Sequence, residues 1–346
     1  MAPPAHPVAR PDWSQSELEP LGHCPLCRSA RRKEIYTGVG RPNEPGGWTL
    51  SRCRDCRCGY IDPRPNLATV GRLYLAYYTH VSPGAVDESA GVRQRILHGF
   101  LSRRYGYGLP GSPLARLVPL IPGARGMASQ HVRDLDAPRP GGRLLDVGCG
   151  NGAFLVRMRD LGWEVSGLEV DPVSAGHARS AGIDVAEGPL SEGTFPESHF
   201  DAITLSHVIE HLHDPVDTLR ACARVLKPGG RIWIATPNLD AIGRRALGRV
   251  WFPLDPPRHL VLFTRKSLQR ALASAGFRGM HEPAPTLQAT RWTFGASLDI
   301  EQGGDGSTIR RLAGRRRAQA LVADLATTIS RSAGEELCMT AIRPEA

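Results

Sequence analysis

Three groups of residues have types and spacings that could do chemistry. The first is cysteine: Cys24-Pro-Leu-Cys27 and Cys53-Arg-Asp-Cys56 form two C-x-x-C pairs with 25 residues between them. Each pair can present two thiolates to one metal ion, and two such pairs close a tetrahedral zinc site with no position open for water or substrate. A zinc held that way is structural. Cys58 offers a second arrangement, Cys56-x-Cys58, so the choice within the second set stays open. The opening MAPPAHPVARPDW has prolines where a signal peptide needs an apolar stretch. A cytoplasmic setting is therefore expected, in which thiols stay reduced and metal is favoured over disulfides.

The second group is His207, Glu210 and His211 in FDAITLSHVIEHLHDP. Helical spacing (i, i+3 and i, i+4) would place them on one face. His259, in DPPRHLVLFT, is a fourth member from a later segment, and His213 lies one step off the face. Three roles fit this set, and the sequence leaves them open. The residues could hold a divalent metal that grips an acceptor's oxygens. His207 or His259 could act as a general base, since an imidazole titrates near neutral pH. Or Glu210 and His211 could brace a helix start by hydrogen bonds.

The third group is the loop LLDVGCGNGAFL, where Gly148, Gly150 and Gly152 follow a short apolar stretch and open a helical one. Glycine lets a backbone turn sharply and approach a ligand, and the helix start behind it offers unpaired N–H groups. Gly148, Gly150 and Ala153 also satisfy the dinucleotide fingerprint G-x-G-x-x-[GA]. Asp146, two residues before the first glycine, separates the two readings, because a dinucleotide-binding strand stays apolar there. A carboxylate at that point can take the ammonium of an amino acid or anchor the loop's N–H groups. Glu169 follows 23 residues after Asp146, placed to accept both hydroxyls of a ribose.

The elements that must position these groups alternate in period from residue 142 onward. Strands are predicted at 143–148, 164–170, 183–188, 200–206 and 231–237, and helices at 152–161, 173–181, 214–226 and 266–275. This is a βαβ pattern, hence a parallel sheet in an α/β fold. LCMTAIRP (337–344) reads as a last strand pairing with one near 277–283, which leaves 284–336 as a mostly helical insertion. Upstream, residues 1–20 read as a flexible leader, 21–65 as a cysteine module and 66–135 as a helical connector or lid. Residues 136–346 read as the catalytic domain.

The 346 residues are 41% hydrophobic and 22% charged, enough to bury a sizeable core. No apolar run is long enough for a membrane-spanning helix, so no membrane partner is expected. Lys+Arg minus Asp+Glu is 43 − 34 = +9, carried almost wholly by arginine. The arginines are scattered, apart from Arg310, Arg311, Arg315, Arg316 and Arg317, which read as a solvated helix face.

In this order DVGCGNG, GLEVDP, FDAITLSHVIEHL and LKPGG, spread over 142–282, resemble the class I S-adenosylmethionine-dependent methyltransferases. The resemblance implies a Rossmann-like sheet with a helical lid. It implies that Asp146, Gly148, Gly150 and Gly152, with Cys149 and Asn151 in the same loop, hold the methionine end of the donor. Glu169, with Val170 beside it, would hold the ribose side. Ser206 and His207 would flank the methyl-donor cleft. The family often has an acidic residue after its third strand, touching the adenine. Here the stretch is EGPLSEGTF, so a backbone or apolar contact from Pro189 and Leu190 is expected instead.

CGYIDPRP resembles the zinc-ribbon leader found on many bacterial methyltransferases, including ones acting on sugars and secondary metabolites. The His/Glu run resembles the E-x-x-E-H motif of ubiquinone-pathway O-methyltransferases, with His207 in place of the first Glu. The function so implied is methyl transfer to a hydroxyl, or an activated carbon, of a small molecule such as a sugar, lipid or secondary metabolite. The alternative is an RNA methyltransferase that uses its ribbon on RNA. The positive balance suits a polyanion, but the ribbon lacks clustered Lys/Arg with interleaved aromatics.

Overall fold

A computed structural model describes residues 13–41, 44–74, 91–121 and 123–345. Most of the leader and residues 75–90 of the connector, with Tyr77 and Tyr78, lie outside the described residues. Thirteen strands are described: β1 (Leu18–Glu19), β2 (Arg32–Arg41), β3 (Glu44–Cys53), β4 (Gly59–Ile61), β5 (Arg64–Pro65), β6 (Arg143–Val147), β7 (Glu164–Glu169), β8 (Asp184–Glu187), β9 (Phe200–Ser206), β10 (Leu226–Pro237), β11 (Val261–Leu262), β12 (Arg278–His281) and β13 (Glu336–Ile342). Between them run α1 (Val92–Tyr105), α2 (Ala124–Gln130), α3 (Ala153–Asp160), α4 (Pro172–Ser180), α5 (Pro215–Val225), α6 (Ile242–Leu247), α7 (Arg265–Ser274), α8 (Gln288–Glu301) and α9 (Gly314–Ile329).

The main sheet has seven strands in the order β12-β13-β10-β9-β6-β7-β8. The five from β10 to β8 are parallel, and β13 and β12 are added antiparallel at one edge. The central strands carry near-continuous apolar runs because helices cover both faces. In β9, Ala202, Ile203 and Leu205 are buried. Asp-Pro dipeptides start two of the covering helices. Asp171 accepts a hydrogen bond from the Ser174 N–H (2.9 Å), and Asp214 accepts one from the Asp217 N–H (3.1 Å), each with proline as the next residue.

On one face α3 and α4 share a core with α1 and the 3-10 helix Pro113–Leu120 through Phe100, Leu101, Val118, Leu155, Met158 and Ala178. The connector is thus packed onto the sheet. On the other face α5 and α7 pack through Leu219, Cys222, Leu268 and Leu272. The start of the connector, expected to be helical, is within the described residues a turn and a short 3-10 helix, Val70–Tyr74.

The cysteine module is continuous with the part of the chain that carries the main sheet. Its sheet has the order β11-β4-β3-β2, and β11 is contributed from far downstream. Val261 pairs with Tyr60 and Leu262 with Gly59. A Cβ on Gly59 would stand 3.0 Å from Leu239 Cδ2, so the strand's close approach depends on that glycine. Trp48, Leu50 and Ile61 of the module share a core with Trp251, Phe294, Ala320 and Ala323, and the 284–336 insertion supplies the last three.

Candidate active site

The glycine loop leaves β6 at the sheet's C-terminal edge, where the strand order reverses between β6 and β9. That crevice is where open α/β sheets bind ligands. Gly148, Gly150 and Gly152 all hold left-handed backbones (φ 70°, 55° and 80°). A Cβ on Gly152 would come 2.8 Å from Ala178 Cβ, and one on Gly148 would collide with the Val208 side chain. Val208 follows β9, so the loop after β9 borders the glycine loop directly. The Gly148 N–H donates to Leu168 O (2.7 Å), tying the loop to β7.

Glu169, at the end of β7, anchors the loop. Its Oε2 accepts the Gly150 N–H (2.8 Å), and its Oε1 accepts the N–H groups of Val170 (2.8 Å) and Asp171 (3.0 Å). Burial pushes its carboxyl pKa up against the pull of those three donors. Asp146 does a different job from loop anchoring. It is fully buried, accepts the Thr204 hydroxyl (2.7 Å) and is ion-paired to Arg133. Burial raises its pKa, and Arg133 and Thr204 pull against that. Arg133 also donates to Thr204 Oγ1 (2.8 Å) and stacks 3.6 Å above the Phe154 ring. Sequence reasoning missed Arg133. It lies in the connector outside any motif, on a left-handed backbone (φ 50°), and no periodicity marks it.

The other residues expected at the donor fall along the same edge. Val170 is exposed beside Glu169, and Asn151 accepts the Ala153 N–H (3.2 Å) through Oδ1. Cys149 turns its side chain into the core toward Gly167 and Leu155, leaving only its backbone to the loop. Pro189 is exposed after β8, whereas Leu190 packs against the main core. Ser206 closes β9, and the His207 N–H donates to Ala235 O (2.9 Å).

The His/Glu set does not share a helical face. His207 has φ 55°, and the helix after it is a single 3-10 turn, Ile209–His211, so only the i, i+3 contact of His207 with Glu210 forms and the set divides into two groups that share Glu210. In one group His207 lies between two carboxylates. Its Nδ1 is 3.3 Å from Glu210 Oε1, and its Nε2 is 2.7 Å from Glu336 Oε1. Desolvation works against the charged imidazole, but the two carboxylates outweigh it and hold His207 well above its ordinary pKa. Burial pushes Glu210 up, yet the pull of His207 brings it down to about 2. Glu336 opens β13 and also accepts a Gln130 amide hydrogen (2.7 Å). It was invisible to sequence reasoning, standing 129 positions from His207 with no motif around it. Beside it a partly open hollow is lined by Glu282, Pro285, Thr286, Thr327, Arg331 and Cys338.

In the other group, ligand atoms of Glu210, His211 and His259 lie within 4.8 Å of one another. The two rings meet edge to face at 4.8 Å. Nδ1 of His211 donates to Arg258 O (3.0 Å) and Nδ1 of His259 to Pro253 O (2.8 Å), so in each neutral ring Nε2 carries the lone pair. Burial, then the neighbouring His259, lowers His211 to about 4, which keeps it neutral at pH 7. Glu210 Oε2 accepts the Thr236 hydroxyl (2.9 Å), while its buried Oε1 faces His207 Nδ1 (3.3 Å).

The cysteine module braces this cluster. Pairing of β11 with β4 fixes the chain just after His259, and His213 Nε2 donates to Pro65 O (2.9 Å). Arg64 in turn donates to His213 O (2.8 Å). The sulfurs of Cys24, Cys27, Cys53 and Cys56 lie within 4.8 Å of one another, with Cys24–Cys56 and Cys27–Cys53 at 3.5 Å. A zinc with bonds of about 2.3 Å needs sulfurs about 3.8 Å apart, so the four fit a tetrahedral ion. Cys58 is a fifth thiol, 3.4 Å from both Cys24 and Cys56.

Residues 124–282 match the family model of a methyltransferase domain. The ubiquinone biosynthesis O-methyltransferase of Caulobacter vibrioides is 40% identical over 182 residues, covering 47% of this chain and 71% of that protein. The chain belongs to the class I S-adenosylmethionine-dependent methyltransferases. A probable S-adenosylmethionine-dependent methyltransferase of Mycolicibacterium smegmatis is 32% identical over 198 residues, covering 55% of this chain and 73% of the relative. The ubiquinone biosynthesis O-methyltransferase of Brucella anthropi is 31% identical over 184 residues, covering 49% and 74%. The methyltransferase's glycine loop has two positions, Gly148 and Gly152, where a Cβ would collide, with one acid at the loop and an acid–guanidinium pair beneath it. Among the described residues no helix is long and apolar enough to cross a membrane.

Proposed function

We propose that the protein transfers the methyl group of S-adenosylmethionine to a hydroxyl oxygen of a small molecule such as a sugar, lipid or secondary metabolite. The observation that carries this reading is the pair of ring nitrogens, His211 Nε2 and His259 Nε2, held as acceptors beside the Glu210 carboxylate. The relatives named as O-methyltransferases support oxygen over carbon. Asp146 and Arg133 offer one charge of each sign to the amino-acid end of the donor, Glu169 takes the ribose hydroxyls, and Val170 with Pro189 borders the adenine. Bound there, the donor supplies a sulfonium methyl that is already electrophilic. What the chain must add is alignment and exclusion of water. The acceptor's hydroxyl proton passes to Nε2 of His211 or His259 as the methyl–oxygen bond forms and the methyl–sulfur bond breaks, leaving S-adenosylhomocysteine. His207, charged and shared between Glu210 and Glu336, fixes the loop and takes no proton.

Glu210, His211 and His259 also fit a divalent cation, given a carboxylate and two imidazole nitrogens with ligand atoms within 4.8 Å of one another. There a cation would polarise an acceptor oxygen. Zinc at Cys24, Cys27, Cys53 and Cys56 would be structural. The test is transfer of tritiated methyl from S-adenosylmethionine into total RNA and into a small-molecule extract of the native host. Label in the extract that disappears in His211→Ala and His259→Ala supports the proposal. Label confined to RNA overturns it.

A further inference from the structure

Helix α9 turns an apolar stripe to solvent. Leu321, Val322, Leu325 and Ile329 are 59, 58, 63 and 79% exposed, while Ala320, Ala323 and Thr327 on the opposite side are buried. At about 100° per residue, the four exposed side chains span an arc of about 100°, and Arg315 and Arg317 stand about 80° to either side of Leu325. Both arginines are exposed and, with Arg311 just before the helix, have no ion-pair partner among the described residues. Their neighbours Arg310 and Arg316 are paired with Asp299 and Glu301. The helix's one acidic residue, Asp324, lies off the stripe.

A second exposed apolar ridge carries Leu114, Leu117, Leu120, Ile121 and Met127, with Arg116 and Arg125 exposed among them. It packs through Gly123 and Gly126 onto Leu287 and Pro285. Pro285 lines the same hollow as Thr327 and Arg331, so the ridge and the end of α9 both border it.

We propose that α9 lies flat on an anionic lipid surface, its aliphatic stripe in the interface and its unpaired arginines on the headgroups. An aliphatic face flanked by cations, on a helix too polar to span, is the arrangement that binds at a bilayer's surface. Charge decides among the occupants. A second copy of this chain, at +9, would bring the same unpaired arginines together. Nucleic acid would match the arginines but not the aliphatic stripe between them, because bases stack on aromatic rings.

The test uses the full-length protein and sedimentation with phosphatidylcholine vesicles, with and without phosphatidylglycerol. Binding is expected only with phosphatidylglycerol, weakening as salt rises. Each arginine near such a surface is worth about fivefold, so Arg315→Gln/Arg317→Gln should weaken binding about 25-fold. Leu325→Glu/Ile329→Glu should abolish it. Both variants should bind S-adenosylhomocysteine like the wild type, which shows that they fold and separates this proposal from the one on methyl transfer. No sedimentation with either vesicle overturns the proposal, as does binding that survives Leu325→Glu/Ile329→Glu. So does a dimer, or retention on RNA, that depends on the same residues without vesicle binding.

Discussion

Replacing Glu169 with alanine separates a loop brace from a ligand contact. In the free protein the carboxylate accepts three backbone N–H groups, from Gly150, Val170 and Asp171, at 2.8–3.0 Å. Hydrogen bonds to a charged group are worth about 1.5–3 kcal/mol each when no substitute exists. Val170 is 62% exposed, so water replaces the lost acceptor on that side, and removing a buried charge recovers part of the remainder. The stability cost should therefore stay at about 1–3 kcal/mol. Donor binding behaves differently. Two ribose hydroxyls would each lose a charge-assisted bond, about 3–6 kcal/mol together. That corresponds to at least about 150-fold weaker binding. Calorimetric titration with S-adenosylhomocysteine reads this without knowledge of the acceptor. Glu164→Ala, at the other end of β7, exposed and paired with Arg143, serves as the control and should bind normally. The reasoning fails if Glu169→Ala binds within about threefold of wild type while its melting point drops, since a bare loop brace costs only the ~1–3 kcal/mol above.

Gly148→Ala should cut donor affinity at least about tenfold, because a left-handed backbone costs about 1–2 kcal/mol with a Cβ present and Val208 must also move; unchanged affinity would show that the loop has slack. Stripping metal with a chelator, or substituting Cys27→Ser, should lower the melting temperature of the whole protein in one transition, since β4 and β11 share a sheet. Two separate transitions would show the module to be independent.

The His207 cluster sets a pH window for stability. Raised above its ordinary 6.5, His207 contributes fully below 6.5 and loses that contribution as pH climbs through its folded pKa. Glu210, depressed from 4.5 to about 2, contributes above 4.5 and loses it as pH falls toward 2. Urea unfolding of Glu336→Gln should flatten the alkaline fall and leave the acid limb from Glu210 in place; an alkaline limb identical to wild type counts against the pairing. His259→Ala should lower kcat by about 10²–10⁴ with donor affinity intact. A loss in donor affinity instead would place His259 with the donor.

The local motifs were legible because each is short and its chemistry is local. The DVGCGNG loop needs glycine at successive left-handed positions, and Asp171-Pro172 and Asp214-Pro215 announce their helices. Two C-x-x-C pairs carry the spacing of a metal knuckle, and the structure brings their four sulfurs together. The strands from 143 to 237 follow from apolar runs of the right length, and the last strand from alternation at 337–344. These are properties of a few adjacent side chains, so sequence alone sets them. Tertiary structure decided what depends on residues far apart in the chain. Glu336 reaches His207 only because β13 folds back antiparallel on β10. Arg133 reaches Asp146 only because the connector packs onto the sheet. The cysteine module braces His259 only because β11 completes its sheet. The helical face expected for His207, Glu210 and His211 failed for the complementary reason: spacing predicts a shared face only while the backbone stays helical, and at φ 55° His207 has already left it.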